Sequence, residues 1–351
     1  MNDGCVLVVR HGEGRGRLPG YLDAVFARLA ATSPALRARL RFHATGAPPP
    51  PLDGVRAVVF LLADPLRERY PACYAEAGAL AARARAAGAR VLNPPEALSH
   101  SIKSVQAGRW RSAGVPTPDA VRFESREELT SHVARLGYPI VIRGDALHAQ
   151  EGIRVCRSAR ELDAIPEGAL RLPGAVSPLV DVRQGFRATA PRGPYARFFH
   201  KKRLLVLGDR IRTKHVFFAT QPIVSSDSSL FQRAHRWPRL ARLVPALRAC
   251  VREDLAYWGH RQEHAELMRR ALAALGLDFA AIDYSTLGDG GVVLWEANPY
   301  PFLPAEVDIM LGRWRRAAER VASYHDAVGQ LFTDVLEAPT RLSGSSVQRG
   351  S

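Results

Sequence analysis

The sequence LDFAAIDYSTLGDGGVVLWEANPYP, residues 277–301, contains the clearest local pattern in the chain. Residues 279–286 and 292–297 are apolar runs rich in β-branched and aromatic side chains, which is typical of strands. Between them lies Gly-Asp-Gly-Gly, residues 288–291, which has the composition of a turn. The pattern therefore predicts a β-hairpin.

Three oxygen-bearing side chains lie on this hairpin: Asp283 in the first strand, and Glu296 and Asn298 at the end of the second. Strand pairing can bring all three to one face, where they form a hard, oxygen-only cluster suited to Mg²⁺ that bridges to phosphate. The alternative is that Asp283 caps a turn and Glu296 is a solvated strand end. The apolar flanks favour the first interpretation, because an unpaired carboxylate in a buried strand is costly.

The Asp of "AIDY" followed by "WEANPYP" resembles the metal-binding strands of the ATP-grasp superfamily, which end in an acidic residue, one spacer and Asn-Pro. This resemblance implies that Asp283, Glu296 and Asn298 hold magnesium ions against the phosphates of ATP. It also implies an ATP-grasp fold for the surrounding region.

A second part of the chain resembles the same family. Residues 99–113 are predicted to form a helix that contains Lys103, and "AGVPTP", a strand, a helix and "GYPIVIR" follow in that order. In ATP-grasp proteins a lysine and a second basic residue at these places contact nucleotide phosphates, which implies this role for Lys103 and Arg143. Arginine replaces the usual lysine at position 143, keeps the charge and adds a bidentate fork. The alternative for Lys103 is a solvated helix lysine.

The next segments complete the implied nucleotide site. Residues 144–152, GDALHAQEG, stand where the family has a glycine-rich phosphate-covering loop, but fewer glycines here mean fewer backbone N–H groups around a phosphate. His148 is a candidate contact in this loop. Residues 175–182, AVSPLVDV, resemble the strand and hinge that hold adenine, which implies Val180 near the base and Asp181 near the ribose. Alternatively, Asp181 is a turn aspartate.

The basic segment at residues 210–214 contains Arg212 and Lys214. In a strand of period two these side chains share one side, where they could face the transferred phosphate or an anionic substrate. We therefore take them as candidate catalytic residues. The alternative is a solvated edge strand in which basic residues discourage pairing.

The first part of the chain alternates strand-like and helix-like segments, which predicts an open, mostly parallel sheet in residues 1–95. The loop at residues 11–20 follows the first strand and is a candidate for part of the substrate site, since ligands meet such sheets at the carboxyl ends of strands. Its opening, Arg-His-Gly-Glu, also resembles the histidine phosphatase superfamily, whose histidine attacks phosphate. That resemblance leaves a phosphohydrolase using His11 as an alternative.

Composition bounds the class of protein. The chain has 351 residues, of which 47% are hydrophobic, and this is enough for two or three packed domains. No apolar run reaches the roughly 18 residues of a spanning helix. The N-terminus lacks the features of a signal peptide, and the four cysteines form no C-x-x-C pair. We therefore expect a cytoplasmic protein without a disulfide framework or a zinc site.

The formal net charge of +15 at pH 7 predicts a field that attracts anions such as nucleotides or acidic substrates. Part of this charge is arginine in Ala/Arg-rich helices, where arginine can simply be a helix former on a solvated face. No zinc-finger, RRM-like or basic-zipper pattern accompanies the charge, so we do not expect a nucleic-acid partner.

Together these features predict an α/β protein of ATP-grasp type. An N-terminal open parallel α/β domain at residues 1–95 precedes two α+β subdomains at 96–180 and 181–337 and a polar tail at 338–351. The resemblance implies a ligase in which ATP phosphorylates a carboxylate and an amine or similar nucleophile attacks the acyl phosphate. The expected cofactors are ATP and Mg²⁺, and the expected partners are small carboxylate and amine substrates. An oligomer is left open, and so is a nucleotide-binding protein without turnover.

Overall fold

The computed structural model describes residues 4–12, 19–147, 152–186, 197–225, 228, 230, 245–258, 263–300 and 315–338, with the backbone alone at 19–22, 184 and 315–318. Within these ranges the chain forms three four-stranded sheets with helices packed against them. None of the helices in these ranges combines the length and the hydropathy of a transmembrane span.

The first sheet is parallel and is formed by residues 5–92. Its strands have the order β2-β1-β3-β4: β1 (Cys5–Arg10), β2 (Leu40–Ala44), β3 (Val55–Leu61) and β4 (Arg90–Leu92). The helices of this part are α1 (Pro19–Thr32), α2 (Pro34–Ala38), α3 (Leu66–Arg69) and α4 (Pro71–Ala86). The central strand β1 is buried on both faces, because helices cover the sheet from either side. The predicted open parallel sheet is confirmed.

The second sheet is antiparallel and has the order β5-β8-β6-β7. Its strands are β5 (Val121–Phe123), β6 (Ile140–Gly144), β7 (Arg154–Cys156) and β8 (Gly174–Pro178), and its helices are α5 (Lys103–Ser112), α6 (Arg126–Leu136) and α7 (Ala159–Asp163). Ser125 caps α6 as the S-x-x-E pattern predicts, with its Oγ accepting the backbone N–H of Glu128 at 3.2 Å. Short 3₁₀ helices occur at Ala97–Ser99, Glu167–Ala169 and Arg183–Phe186.

The third sheet is antiparallel, has the order β10-β9-β11-β12 and contains the predicted hairpin. Its strands are β9 (Phe199–Leu207), β10 (Arg210–Ala219), β11 (Phe279–Thr286) and β12 (Val292–Asn298). The described helices of this part are α8 (Pro245–Tyr257), α9 (Ala265–Ala274) and α10 (Arg315–Glu337). The hairpin forms where the two apolar runs and the glycine-rich turn between them predict it.

The first and third sheets share one hydrophobic core. Leu205 of β9 and Phe279 of β11 lie in the same buried cluster as Val6 and Val8 of β1. Helix α10 closes this cluster from the side with residues such as Phe332. The shared core holds the hairpin in a fixed place relative to the parallel sheet. The residue limits of the predicted domains stay a prediction. Helix α10, which comes late in the chain, packs on the first sheet as well as on the third.

Candidate functional site

The hairpin brings two carboxylates together. Asp283 of β11 and Glu296 of β12 are partners in the antiparallel register, so their side chains emerge on the same face. The register shifts directly after this pair, because Tyr284 lies opposite Leu294 and leaves Trp295 as the extra residue of a β-bulge. We call Asp283 and Glu296 the acid pair.

Two cations from β9 hold Asp283. Arg203 lies opposite Asp283 in the register and donates to both of its oxygens, with Nη2 at 2.7 Å from Oδ2, while Lys201 Nζ lies 2.8 Å from Oδ2. Asp283 has no exposed surface. Burial works to raise the pKa of Asp283, but Arg203 and Lys201 outweigh it, and the pKa lies below its usual value. The carboxylate is therefore held in its charged form.

Two other cations, which belong to the second sheet and its helix, hold Glu296. Lys103 Nζ lies 3.0 Å from Glu296 Oε2, and a terminal nitrogen of Arg143 lies 3.7 Å from the same oxygen. Burial works to raise the pKa of Glu296, but Lys103 and Arg143 lower it to well below its usual value. The structure thus brings the two basic residues to the acid pair, while their predicted roles toward phosphate remain a prediction.

A side-chain amide fixes the helix that carries Lys103. Gln106 of α5 donates from Nε2 to the carbonyl of Ala297 at 3.2 Å and accepts the N–H of Ala297 through Oε1 at 3.1 Å. The side-chain amide of Gln106 and the backbone of Ala297 are buried away from water, so each satisfies the hydrogen-bonding groups of the other. Gln106 therefore ties α5 to β12 within two residues of Glu296 and Asn298. Gln106 was not among the residues predicted from the sequence.

Cationic side chains outnumber the acid pair. We define the cation cluster as Lys103, Arg143, Lys201, Arg203 and Lys214. Lys214 is 3% exposed, and burial lowers its pKa well below the usual value, with Arg203 adding to this effect and Asp283 opposing it. The surplus of positive charge beside the acid pair comes from the four basic side chains that pair with its two carboxylates. It is suited to an anion that carries several negative charges.

No family model and no curated protein matches this sequence. Solved structures do match it. The ATP-grasp ligase PsnB complexed with a minimal precursor has 16% identity and a TM-score of 0.54. The macrocyclase MdnC from Microcystis aeruginosa MRC, bound with precursor peptide MdnA, has 14% identity and a TM-score of 0.52, and the D-cycloserine synthetase DcsG has 12% and 0.52. Each match covers 93% of this chain and 99% of the other. The chain has the ATP-grasp fold.

The ATP-grasp ligase PsnB was also solved with nucleotide, in one structure with Mg and ADP and in another with AMPPNP. In this chain the oxygens of Asp283, Glu296 and Asn298 are the hard ligands that Mg²⁺ prefers, and Mg²⁺ usually takes only one or two protein carboxylates. Asn298 Nδ2 donates to Glu296 Oε1 at 3.4 Å, so it lies beside the acid pair. The described residues contain no group of three or more His, Cys, Asp or Glu side chains that could hold a metal ion by themselves. The residues present fit Mg²⁺ shared with phosphate.

An unsatisfied donor points to the same anion. Nε of Arg143 is buried and has no hydrogen-bond partner in the described part of the chain. Buried donors are normally paired, and a phosphate oxygen would supply the missing acceptor. Arg143 therefore keeps a donor available beside its ion pair with Glu296.

The predicted base and ribose contacts lie between the second and third sheets. Val180 follows β8 and packs against the core. Asp181 is exposed and forms a turn, in which its Oδ1 accepts the N–H of Arg183 at 3.0 Å and its carboxylate pairs with the guanidinium of Arg183 at 2.6 Å. This geometry is that of a turn aspartate, and the ribose contact stays a prediction. His148 lies outside the described residues.

The structure corrects one expectation about β10. Arg212 and Lys214 do not share a side, because the register between β9 and β10 shifts between Thr213 and His215 and interrupts the period of two. Lys214 is consequently buried, whereas Arg212 is exposed and donates to the carbonyl of Ile211 at 3.2 Å. Only Lys214 joins the cation cluster.

Lys201 and Arg203, which hold Asp283, were not among the site residues predicted from the sequence. A signal for them existed, since they are two residues apart in a predicted strand and so share a face. Lys202 between them faces the other way, with Nζ at 5.8 Å from the ring centroids of Tyr257 and Tyr284. What the sequence does not contain is the register that sets Arg203 opposite Asp283.

His11 does not have the geometry of a nucleophile for phosphate. Its Nε2 accepts the backbone N–H of Ala63 at 2.8 Å, and its Nδ1 faces Cys73 Sγ at 3.7 Å. Burial lowers the pKa of His11 to about 4, so the ring is neutral at pH 7. With Nε2 engaged and Nδ1 turned to Cys73, neither nitrogen is presented to a substrate, and this observation gives the phosphatase alternative no support.

Proposed function

We propose that this protein is an ATP-dependent ligase that joins a carboxylate to an amine or a similar nucleophile. The observation that carries the proposal is the convergence of four cations on one acid pair: Lys103 and Arg143 reach Glu296, and Lys201 and Arg203 reach Asp283. Such a cluster supplies both parts of a triphosphate site, cations for the phosphates and hard oxygens for their metal.

The proposed reaction has two steps. A carboxylate oxygen of the first substrate attacks the γ-phosphorus of ATP, the bond to the β–γ bridging oxygen breaks, and ADP leaves. The nitrogen of the second substrate then attacks the acyl carbon, the bond from that carbon to the phosphate oxygen breaks, and inorganic phosphate leaves with the formation of an amide. One proton is released from the attacking amine.

The side chains have separate parts in this scheme. Lys103 and Arg143 would bind phosphate oxygens and stabilise the charge that moves onto the leaving ADP. Lys201, Arg203 and Lys214 would face the phosphate that is transferred. Asp283, Glu296 and Asn298 would hold Mg²⁺, which when bound neutralises phosphate charge and aligns the triphosphate. Arg212, on the surface, would contact substrate only.

The class of substrate is proposed more coarsely. PsnB was solved with a minimal precursor, MdnC was solved with the precursor peptide MdnA, and DcsG is a D-cycloserine synthetase. The net charge of +15 favours acidic substrates by attracting them from solution. We therefore propose that the carboxylate is offered by an amino acid or by an acidic side chain of a peptide.

The experiment is an assay of ADP and phosphate release with Mg-ATP and a panel of amino acids and acidic peptides, followed by mass spectrometry of the products. We expect release that depends on a carboxylate and an amine together and a product lighter by one water than the two substrates combined. Binding of ATP without turnover on any member of the panel would favour the alternative of a nucleotide-binding protein that lacks ligase activity. Absence of ATP binding would contradict the proposal entirely.

A further inference from the structure

Asp145 is a buried acid outside the acid pair, and every one of its polar groups is occupied. Its side chain has no exposed surface. The backbone N–H donates to the carbonyl of Pro173 at 3.0 Å, and the carbonyl accepts the N–H of Lys103 at 3.1 Å. Oδ1 accepts the N–H of Ser104 at 2.8 Å, and Oδ2 accepts the hydroxyl of Ser104 at 2.6 Å. Through the bonds to Lys103 and Ser104, Asp145 connects the end of β6 to the start of α5.

These bonds cap helix α5 from a distant part of the chain. The first N–H groups of a helix have no partner within the helix and need acceptors. Local side chains usually supply them, as Ser125 does for α6. In α5 the N-cap residue is Ile102, whose side chain cannot accept, and Asp145 takes the N–H groups of Lys103 and Ser104 instead. The carboxylate also places a negative charge at the positive end of the helix.

Asp145 connects the two elements that carry the cations paired with Glu296. Lys103 is the first residue of α5, and Arg143 lies on β6 two residues before Asp145. Both side chains approach the same oxygen, Glu296 Oε2, at 3.0 Å and 3.7 Å. Their backbones come from different elements, and Asp145 connects these elements directly.

We infer that Asp145 is a positioning residue of the phosphate site, which sets the place of Lys103 relative to Arg143 so that both cations can bind one polyphosphate. The inference rests on the proposed function only in the identity of the anion. Asp145 acts through Lys103 and does not itself touch the ligand. Arg122, whose Nη1 lies 3.7 Å from Oδ2, is the one cation recorded beside this carboxylate in the described residues.

The carboxylate is needed because both of its oxygens accept. Asn in its place keeps one acceptor for the N–H of Ser104 and turns an NH₂ group toward the Ser104 hydroxyl. The hydroxyl can then only accept, so both charge-assisted bonds to the carboxylate and its negative charge at the start of α5 are lost. Ser104→Ala is a milder change, because it removes only the hydroxyl bond and leaves the bond from the Ser104 N–H. The two variants grade the loss of the cap without introducing a cavity at the site.

The first test needs no nucleotide. The full chain is treated with a lysine-acylating reagent, and the rate of modification at Lys103 is followed by mass spectrometry. Lys103 is 5% exposed and ion-paired in the wild type. We expect its modification to be at least about tenfold faster in Asp145→Asn and faster to a smaller degree in Ser104→Ala, by the loss of charge-assisted bonds. Ser125→Ala, which uncaps α6 in the same part of the fold, is the matched control and leaves the rate unchanged.

The second test separates positioning from general loss of structure. The affinity for Mg-AMPPNP and for adenosine is measured by calorimetry in the same variants. We expect Asp145→Asn to weaken Mg-AMPPNP binding about tenfold and to leave adenosine binding unchanged, because only the phosphates meet Lys103. In a Lys103→Met background the Asp145→Asn change then has little further effect, since both act on one interaction.

The outcomes distinguish the two proposals. If the wild type binds no nucleotide, the proposed function fails, and the modification rate of Lys103 still decides the role of Asp145. If the wild type binds Mg-AMPPNP and Asp145→Asn leaves both that affinity and the modification rate unchanged, Asp145 is not a positioning residue. Equal losses for adenosine and Mg-AMPPNP, or a full additional loss in the Lys103→Met background, would also overturn the inference.

Discussion

Arg203 and Asp283 lie opposite each other on neighbouring strands, and the guanidinium of Arg203 donates to both oxygens of the carboxylate. Asp283 is fully buried, and Lys201 pairs with it as well. Asp283→Asn would leave two cations without their counter-charge in a largely buried place. We expect a loss of about 3 kcal/mol in the free energy of unfolding, measured by urea denaturation, because removal of one partner leaves uncompensated charge.

The companion to that change is the double variant Asp283→Leu with Arg203→Met. It removes Asp283 together with Arg203, fills the space with apolar atoms and leaves Lys201 alone without its counter-charge. We therefore expect it to be more stable than Asp283→Asn, which leaves both cations unpaired. It would nevertheless bind Mg-ATP poorly. A double variant less stable than the single one would show that Arg203 and Asp283 do not form the coupled pair described here.

Removal of one magnesium ligand should change metal dependence selectively. We expect Asn298→Ala to raise the Mg²⁺ concentration needed for half-maximal ATP binding about tenfold, in line with the loss of one oxygen ligand. Binding of ATP in excess chelator should be unchanged by the substitution. Asp289→Asn in the turn of the same hairpin is the control, since the bond that Asp289 accepts from a described residue comes from the N–H of Gly291. Equal Mg²⁺ dependence in all three proteins would contradict the assignment of Asn298.

Adjacent lysines of β9 offer a matched pair. Lys201 Nζ lies 2.8 Å from Asp283, whereas Lys202 faces the rings of Tyr257 and Tyr284 on the other side of the sheet. We expect Lys201→Met to weaken ATP binding about tenfold through the loss of one phosphate contact. Lys202→Met should leave the affinity unchanged in the same titration. The opposite result would place the nucleotide on the other face of the third sheet.

His11 predicts a dependence of stability on acid. Burial lowers its pKa to about 4 in the folded state, while the unfolded residue titrates near the usual value of 6.5. Between these values the unfolded chain binds a proton that the folded chain does not, so the free energy of unfolding falls as the pH falls through this window. The slope from one group is at most about 1.4 kcal/mol per pH unit.

His11→Gln should lack this component, and chemical denaturation at pH 7, 6 and 5 measures the difference between the two proteins. ATP binding at pH 7 should be the same in both, since His11 belongs to the first sheet and not to the acid pair. A His11→Gln protein with the same pH profile as the wild type would show that His11 is not held neutral. If the wild type hydrolysed a phosphomonoester and His11→Gln did not, the result would support the phosphatase alternative.

Local patterns in the sequence predicted a large part of the site. Two apolar runs around a glycine-rich turn predicted the hairpin that carries Asp283 and Glu296. The S-x-x-E pattern predicted the cap of α6 at Ser125. These features depend on interactions between residues a few positions apart, which the sequence displays directly. The resemblance of "WEANPYP" and "GYPIVIR" to one family added the expectation that Lys103 and Arg143 approach the same place.

Other features arise only where distant segments meet. The bulge that turns Lys214 inward and Arg212 outward depends on how β10 pairs with β9, and a period of two could not predict it. The choice of Lys201 and Arg203 as partners of Asp283 depends on the register between β9 and β11. No local rule relates Asp145 to Ser104 either, because this cap bridges two elements.

The sequence by itself determined the hairpin, its acids and the alternation of strands and helices, since these follow from backbone sterics and from the burial of apolar side chains along one element. Tertiary structure alone decided which cations face those acids. An ion pair forms between whichever charges the docking of sheets brings within a few ångströms, and the energy of that contact depends on burial. Lys103 and Glu296 are neighbours because helix α5, which belongs to the second sheet, packs against β12 of the third.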